Sequence, residues 1–277
     1  MENKLCVITG ANSGIGFETA KALSALGAYI VMVCRNEEKA ESARRAIIST
    51  SGNAGIDIVL CDFSIQSEIR KAAGHISEAY SKIDVLINNH GFVASGWEET
   101  VDGYEMTFAV NHLGYFLFTQ LLLDNIKAAG KARIINVASR AHRRGFFDAE
   151  DIQMKNSYSP WIAYSNSKLY NILFTRELAR RLVDTNVTAN CLHPGVIASN
   201  FAKSGQGITK LFFKFAKPFL TTPEQGAKTS VYLASSPEVE NVNGAYFVNG
   251  KPATPFPQAL DDEAAKILWE ISERMVK

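Results

Sequence analysis

The sequence predicts an α/β fold: a single domain built on a doubly wound parallel sheet of about seven strands flanked by helices. Three observations carry that expectation. Short, β-branched apolar runs alternate with helix-length amphipathic segments along the chain. The runs are continuously apolar, as strands covered by helices on both faces are. Neither a Pro/Ser-rich linker nor an internal repeat divides the 277 residues, so one domain spans 1–277. With right-handed crossovers, parallel strands joined by helices then wind the sheet in both directions.

The elements follow in order. Leu5–Thr9 reads as the first strand, and after a glycine-rich stretch Gly16–Leu26 carries apolar residues every three or four positions, the helical period. Tyr29–Cys34 is the second strand and Glu37–Thr50 its helix; Ile56–Cys61 is the third, followed by Ser67–Ser81. Val85–Asn88 is the fourth, with the long helix Met106–Ala129 after it, and Arg133–Val137 the fifth, with Ile162–Asp184. Val187–Leu192 and Tyr246–Val248 complete the set. The alternation breaks between 197 and 223, where Phe212, Phe213, Phe215 and Phe219 stand among Lys210, Lys214 and Lys217. Three readings fit that segment: a mobile cover over a substrate, an amphipathic contact with a membrane surface through 208–220, or plain surface packing.

Composition narrows the class. Hydrophobic residues are 47 % and charged ones 21 %, which excludes a disordered or collagen-like chain. Lys and Arg number 29 against 28 Asp and Glu, a net charge of +1, so the basic excess of a nucleic-acid binder is missing. MENKLCVITG has no apolar run of signal-peptide length before its strand, and no stretch approaches the roughly 18 apolar residues of a membrane span; a cytoplasmic location is expected. Cys6, Cys34, Cys61 and Cys191 are widely spaced within apolar runs, as buried reduced thiols are. No His, Cys or carboxylate group has metal-ligand spacing, and no metal is expected.

Thr9-Gly10-Ala11-Asn12-Ser13-Gly14-Ile15-Gly16 lies between a strand and a helix. Glycines there permit a tight turn and let backbone N–H groups approach a pyrophosphate, and the helix N-terminus favours the anion. The spacing is Gly-x-x-x-Gly-x-Gly rather than the commoner Gly-x-Gly-x-x-Gly. The second strand ends at Cys34-Arg35-Asn36, without the acidic residue that would hold a free adenosine ribose; Arg35 suits a 2′-phosphate. Asp62, with Phe63 beside it, follows the third strand where an adenine would lie, although a helix cap uses the same residue type.

Tyr164 and Lys168 stand at i and i+4, on one helical face. A phenol titrates near pH 10, and a neighbouring cation favours the phenolate and brings it toward the working range. Ser139 closes the fifth strand at the carboxyl edge where doubly wound sheets bind ligands. Asn88-Asn89-His90-Gly91 closes the fourth, and Asn111 lies inside the helix that follows.

Taken in order, Thr9–Gly16, Asn88–Gly91, Asn111, Ser139, Tyr164 and Lys168 resemble the short-chain dehydrogenase/reductase family, whose fold is Rossmann-type. The resemblance covers essentially the whole chain, and the glycine spacing is that family's own. It implies that Tyr164 gives or takes the substrate proton and Ser139 holds the carbonyl or alcohol oxygen. Lys168 would bond the nicotinamide ribose and lower the tyrosine pKa, and Asn111 would support a water-linked proton relay. Cofactor contacts are implied at Gly10, Asn12, Ser13, Gly14, Ile15, Gly16, Arg35, Asn36, Asp62, Phe63, Asn89, His90, Gly91, Tyr164, Lys168, Pro194, Gly195 and Val196. Residues 1–130 would mainly bind dinucleotide; 131–277 would carry catalysis and substrate binding, with a tail from about 251.

Ser139 and Tyr164 are 25 positions apart, and the intervening Arg140–Pro160 resembles the insertion of retinol-dehydrogenase-like enzymes and of the WW-domain oxidoreductase. That subgroup mostly uses NADP(H), in accord with Arg35. His90 stands where the family often has Ala, and the membrane-anchoring extension of several animal members is not present ahead of the first strand. The expectation is an NADP(H)-dependent oxidoreductase that interconverts a carbonyl and an alcohol. Phe92, Trp97, Phe146, Phe147, Trp161 and Phe201 suggest a small lipophilic substrate. Reduction of a conjugated C=C bond, or NADP(H) sensing without turnover, are the alternatives. His193 reads as packing beside the Pro194-Gly195 turn, and Arg140, His142, Arg143 and Arg144 as a solvated basic loop. The two long helices are the faces this family commonly uses to dimerise, unless the tail covers them.

Overall fold

The computed structural model describes residues 1–195 and 221–277; the 197–223 readings, with Val196 and Phe201, therefore fall almost wholly outside the described residues. One sheet of eight strands, order β3-β2-β1-β4-β5-β6-β7-β8, organises the chain. The strands are β1 (Leu5–Thr9), β2 (Tyr29–Cys34), β3 (Ile56–Leu60), β4 (Val85–Asn88), β5 (Ala132–Val137), β6 (Val187–His193), β7 (Tyr246–Val248) and β8 (Lys251–Ala253). The first seven pair in parallel, and β8 turns back antiparallel on β7. The sequence predicted about seven; β8 is the addition. It is a three-residue edge strand centred on Pro252, a residue that an edge tolerates and a central strand does not.

The strands are buried on both faces, which explains their unbroken apolar character. Val7, Val31, Leu86 and Ile134 point into one core, under the helices α3 (Gln66–Ala79), α4 (Met106–Ala128), α5 (Pro160–Arg181) and α7 (Asp262–Met275). Cys6, Ile8, Ile30, Met32, Ile87 and Ile135, their alternating neighbours, point into the other, under α1 (Gly14–Ala25), α2 (Glu37–Ser51) and α6 (Pro223–Ser235). All four cysteines are free and buried. The strand order reverses between β1 and β4, and this switch point opens the crevice in which such sheets bind ligands, at their carboxyl ends.

Two helices depart from the expected pattern. Met106–Ala128 has the length and, over its most apolar 18 residues, the mean hydropathy, 1.2, of a membrane span, but 72 % of those 18 are buried inside the fold, as in a core helix. It is also interrupted: Ala109–Leu113 forms a π-type turn between two α-helical pieces. In the tail, α7 opens on the Asp261 cap and lies along α5. Trp269 packs on Phe116 and Phe174, while Arg176 and Arg180 pair with Asp262. The tail thus covers the outer side of α5, one of the faces considered for dimerisation.

Beneath the crevice the helices and sheet share a buried polar ladder. Asn88 Nδ2 donates to Thr119 Oγ1 at 2.9 Å and to Asn136 Oδ1 at 2.8 Å, and Asn136 Nδ2 donates to Thr175 Oγ1 at 2.9 Å. Buried amides of this kind fix one register of β4, β5 and α5, since a slip would orphan several of them at once.

Candidate active site

The glycine loop crosses the carboxyl end of β1. Gly10 (φ +66°) and Gly14 (φ +56°) occupy the left-handed region, and Gly10 N–H donates to Val33 O at 2.8 Å. A Cβ at Gly16 would stand 2.3 Å from Gly10 O and 2.4 Å from Asn89 Nδ2, so no side chain fits there. At Gly14 a Cβ would meet nothing within 4 Å. Ser13, the residue before α1, leaves the helix without a side-chain cap bond, so its first N–H groups have no capping side chain. Asn12 borders the same opening, and Ile15 lies in the first turn. An uncapped N-terminus under a side-chain-free cradle is the geometry that a pyrophosphate requires, and these residues fit a dinucleotide.

At the far rim Arg35 is exposed, its Nη1 3.4 Å from Asp62 Oδ2. Asn36 caps α2 by accepting from Lys39 N–H at 2.8 Å. Burial alone would raise the Asp62 carboxyl, but hydrogen bonds from Ser64 and then the Arg35 charge outweigh it and hold the group below its usual value. Phe63 does not face the rim. Its ring is buried in the core, stacked on the His90 imidazole with centroids 3.8 Å apart. Any cofactor contact from Phe63 is left to its backbone.

The reacting end lies on β5, α4 and α5. Lys168 is 3 % exposed, its Nζ donating to Val137 O at 3.0 Å. It sits 5.7 Å from the centroid of the Tyr164 ring and 5.8 Å from that of Tyr115. Tyr164 is partly exposed and hydrogen-bonds the Ser139 side chain. Asn111, fully buried, donates from Nδ2 to Phe92 O (2.8 Å) and Ser167 Oγ (3.0 Å) and accepts Phe92 N–H on Oδ1 (2.7 Å). Were Gly91 to carry a Cβ, it would lie 3.6 Å from Lys168 Nζ and 3.9 Å from Asn111 Oδ1. The structure thus links the four in a chain, Ser139 to Tyr164 by a hydrogen bond, the Tyr164 ring beside Lys168, and Lys168 and Asn111 both beside Gly91.

Electrostatically the pair differs from a simple cation-beside-phenol picture. Burial raises the Tyr164 phenol, and the Ser139 hydrogen bond opposes that rise. Burial lowers Lys168 to about 7. The two groups are driven apart, the phenol upward and the ammonium downward, because the charged form of each is penalised where water is excluded.

Two histidines brace Ser139. His193 Nδ1 accepts Arg140 N–H at 3.2 Å, which gives it a packing role. His142 is not part of a solvated loop. It is 1 % exposed, its Nδ1 lies 2.6 Å from Ser139 O, and its Nε2 accepts Phe256 N–H at 3.0 Å. The surrounding Arg140, Arg143 and Arg144 are exposed as expected. His142 is carried inward because the 3₁₀ turn Arg140–Arg144 packs against α5. Gly145 confirms how close that approach is, since a Cβ there would be 2.7 Å from Ser165 O. Beyond Ser139, Pro194 and Gly195 (φ +97°) end β6, and Gly195 lies against Thr221.

Of the aromatic residues, Trp161 (51 % exposed) leans on Tyr164, centroids 5.8 Å apart, and Phe146 is 46 % exposed. Phe92 and Phe147 are partly buried, and Trp97 packs edge-on against Tyr158. Two participants were not anticipated: Thr9, whose hydroxyl accepts both Asn89 N–H and His90 N–H, and Tyr115, whose hydroxyl donates to His90 O at 2.7 Å. Tyr115 stands one helical turn after Asn111, a spacing that could have flagged it. A cavity of about 480 Å³ opens at the amino ends of the strands instead. Its charges Lys4–Asp84 and Lys131–Glu240 are already paired across it, and it lies opposite the switch-point crevice.

A family model for the short chain dehydrogenase matches residues 4–206. Retinol dehydrogenase 14 of Mus musculus is 43 % identical over 292 residues, covering 100 % of this chain and 86 % of that protein. The human WW domain-containing oxidoreductase is 40 % identical, covering 99 % and 68 %. Among solved structures, an uncharacterized protein from Mycobacterium Paratuberculosis superposes with TM-score 0.81 at 33 % identity, over 99 % of this chain and 94 % of that one. The Pseudomonas aeruginosa RhlG/NADP active-site complex shares the fold, with TM-score 0.71 at 22 % identity over 89 % and 94 %.

Proposed function

This chain belongs to the short-chain dehydrogenase family, among its retinol-dehydrogenase-like members, and from that premise we propose that it is an NADP(H)-dependent oxidoreductase interconverting a carbonyl and an alcohol on a lipophilic small molecule. The observation that carries this reading is the chain of contacts from Ser139 through Tyr164 to Lys168, with Lys168 and Asn111 both beside Gly91.

In this reading the nicotinamide supplies or takes up the hydride when bound. Residues 1–130 would hold the dinucleotide: backbone N–H groups of Gly14 to Gly16 would take the pyrophosphate, and the Arg35 guanidinium would bind a 2′-phosphate. That guanidinium needs only to exchange a long, 3.4 Å contact with Asp62 for a charge-assisted bidentate one. Residues 131–277 do the proton chemistry. Ser139 orients the substrate oxygen toward Tyr164, whose phenol donates the proton in reduction and recovers it in oxidation. Lys168, drawn to about 7 by burial, is poised to replace that proton near neutral pH. Asn111 holds the Phe92 backbone in place behind Lys168. Trp161 and Phe146 offer apolar surface beside Tyr164, which supports a lipophilic substrate.

The test is a fluorescence titration with NADPH and with NADH, followed by turnover of lipophilic aldehydes and ketones. Preference for NADPH that collapses in Arg35→Asp, with turnover lost in Tyr164→Phe, is expected. Equal or tighter NADH binding overturns the cofactor assignment, and full turnover in Tyr164→Phe overturns the mechanism.

A further inference from the structure

The His90 imidazole is enclosed where the glycine loop, the β4 end and the long helix α4 meet. One face stacks on Phe63 (centroids 3.8 Å, 22° between planes), and Tyr115 meets it edge-on at 4.8 Å. The two nitrogens are both engaged: Nδ1 with Thr9 Oγ1 at 2.9 Å, Nε2 with the backbone carbonyl of Val110 at 2.7 Å. A carbonyl can only accept, so Nε2 carries the proton, and Nδ1 accepts from the threonine hydroxyl.

The Val110 carbonyl is available for a specific reason. In a regular α-helix it would receive Gly114 N–H, four residues on; here Gly114 N–H donates to Ala109 O instead, across the π-type turn. The Val110 carbonyl thus loses its regular helical donor. His90 replaces it. The imidazole has room because residue 114 is glycine: a Cβ there would come within 3.1 Å of Phe63 Cδ1 and 3.4 Å of His90 Nε2.

The contact works as one half of a clasp. From the loop, His90 reaches the helix at Val110; from the helix, the next residue, Asn111, reaches back to the loop through both backbone groups of Phe92. Gly91 is pinned between them, beside Lys168. The other end of the imidazole bonds Thr9, the residue at which the glycine loop begins.

We propose that His90 is a positioning residue: as the Nε2–H tautomer it ties the released Val110 carbonyl to the start of the glycine loop, and thereby sets the places of Asn111 and Gly91. The inference rests on the assignment of Asn111 and Lys168 to the reacting end, and its test is built to stand apart from that assignment.

Three variants separate the two ends of the ring. In His90→Gln the terminal amide can still donate toward Val110. In His90→Asn an acceptor remains near Thr9 but the reach to Val110 is lost. In His90→Leu bulk is kept without either bond. Nitrogen-15 NMR of the wild-type imidazole is expected to show the Nε2–H tautomer. Hydrogen exchange at Phe92 N–H is expected to accelerate at least about tenfold in the Asn and Leu variants and to be rescued in Gln. With NADPH and nonanal as the probe pair, kcat is expected to fall about 10–100-fold in Asn and Leu, as small misplacements do, and to be restored in Gln, while KM for nonanal stays put.

An Nδ1–H tautomer, or Phe92 exchange in the Leu variant equal to wild type, overturns the proposal. So does equal loss in Gln and Asn that tracks thermal stability alone. Should wild type bind NADPH yet leave nonanal unchanged, the catalytic reading suffers, while the tautomer and the exchange rates still decide the role of His90.

Discussion

The two cations at the ends of the crevice live in different media. Lys168 is 3 % exposed, bonded to a main-chain carbonyl, and drawn to about 7. The Arg35 side chain is 74 % exposed and touches only Asp62 at long range. Losing water changes what a charge is for. An ammonium that pays for burial exchanges its proton near neutrality and can take part in acid–base chemistry. A guanidinium in solvent keeps its proton and can only recognise an anion. On the proposed function, one end of the crevice would react and the other would select the cofactor, a division set by residue type and surroundings together.

The largest effect should fall at the buried end. Tyr164→Phe removes the proton donor and is expected to cut kcat about 10²–10⁴-fold, while NADPH binding measured by fluorescence stays unchanged; a parallel loss of binding would merge the two ends. At the exposed end, Arg35→Asp exchanges an attractive charge for a repulsive one. NADPH affinity should drop about 10–100-fold, the worth of one or two charge-assisted contacts, with NADH affinity unchanged or improved in the same titration. Between the ends, Gly16→Ala drives a Cβ into Gly10 O and Asn89. Overpacking of that kind costs about 1–3 kcal/mol, to be read as a lowered urea midpoint, with binding of both nucleotides weakened together.

The smallest effect concerns pH. His112 is fully buried, bonded to Ser272, and held neutral, burial lowering it to about 3. In the unfolded chain it takes up a proton below about 6.5. The unfolded state then binds more protons than the fold, so stability is complete above about 6.5 and erodes as pH falls toward 3. The slope from this one group is at most about 1.4 kcal/mol per unit. Urea unfolding at pH 7.5 and 5.5 should show the loss, and His112→Gln should flatten it.

Much of this arrangement was legible beforehand. Strand edges fell within a residue because continuous apolar runs and the turns between them are local signals. Ser139, Tyr164 and Lys168 came together because a strand end and an i, i+4 helix pair have only one place to go in a doubly wound sheet. What escaped was set by distant partners. Nothing in the apolar periodicity of the long helix marks a π-type turn at Ala109–Leu113; it forms where His90, twenty residues before Val110, can take the freed carbonyl. Phe63 reads as a rim residue from its neighbour Asp62, but His90 offers its ring a stacking surface inside. His142 was hidden in a basic run, and its burial depends on Phe256 from the tail.

The tail gives the molecule an order of assembly. Trp269, Asp262 and Ser272 complete the surroundings of Phe174, Arg176 and His112, and Phe256 completes those of His142. During synthesis these partners leave the ribosome well after the segments they cover, up to 160 residues later for His112 and Ser272. Until they emerge, α5 presents an apolar flank to solvent or to a chaperone, and the turn that carries Ser139 lacks one of its anchors. The nucleotide half is sealed from the same end, since Ser272 meets His112 and the Met275 carbonyl accepts from Gln66 and Tyr104, so the last residues made close both halves.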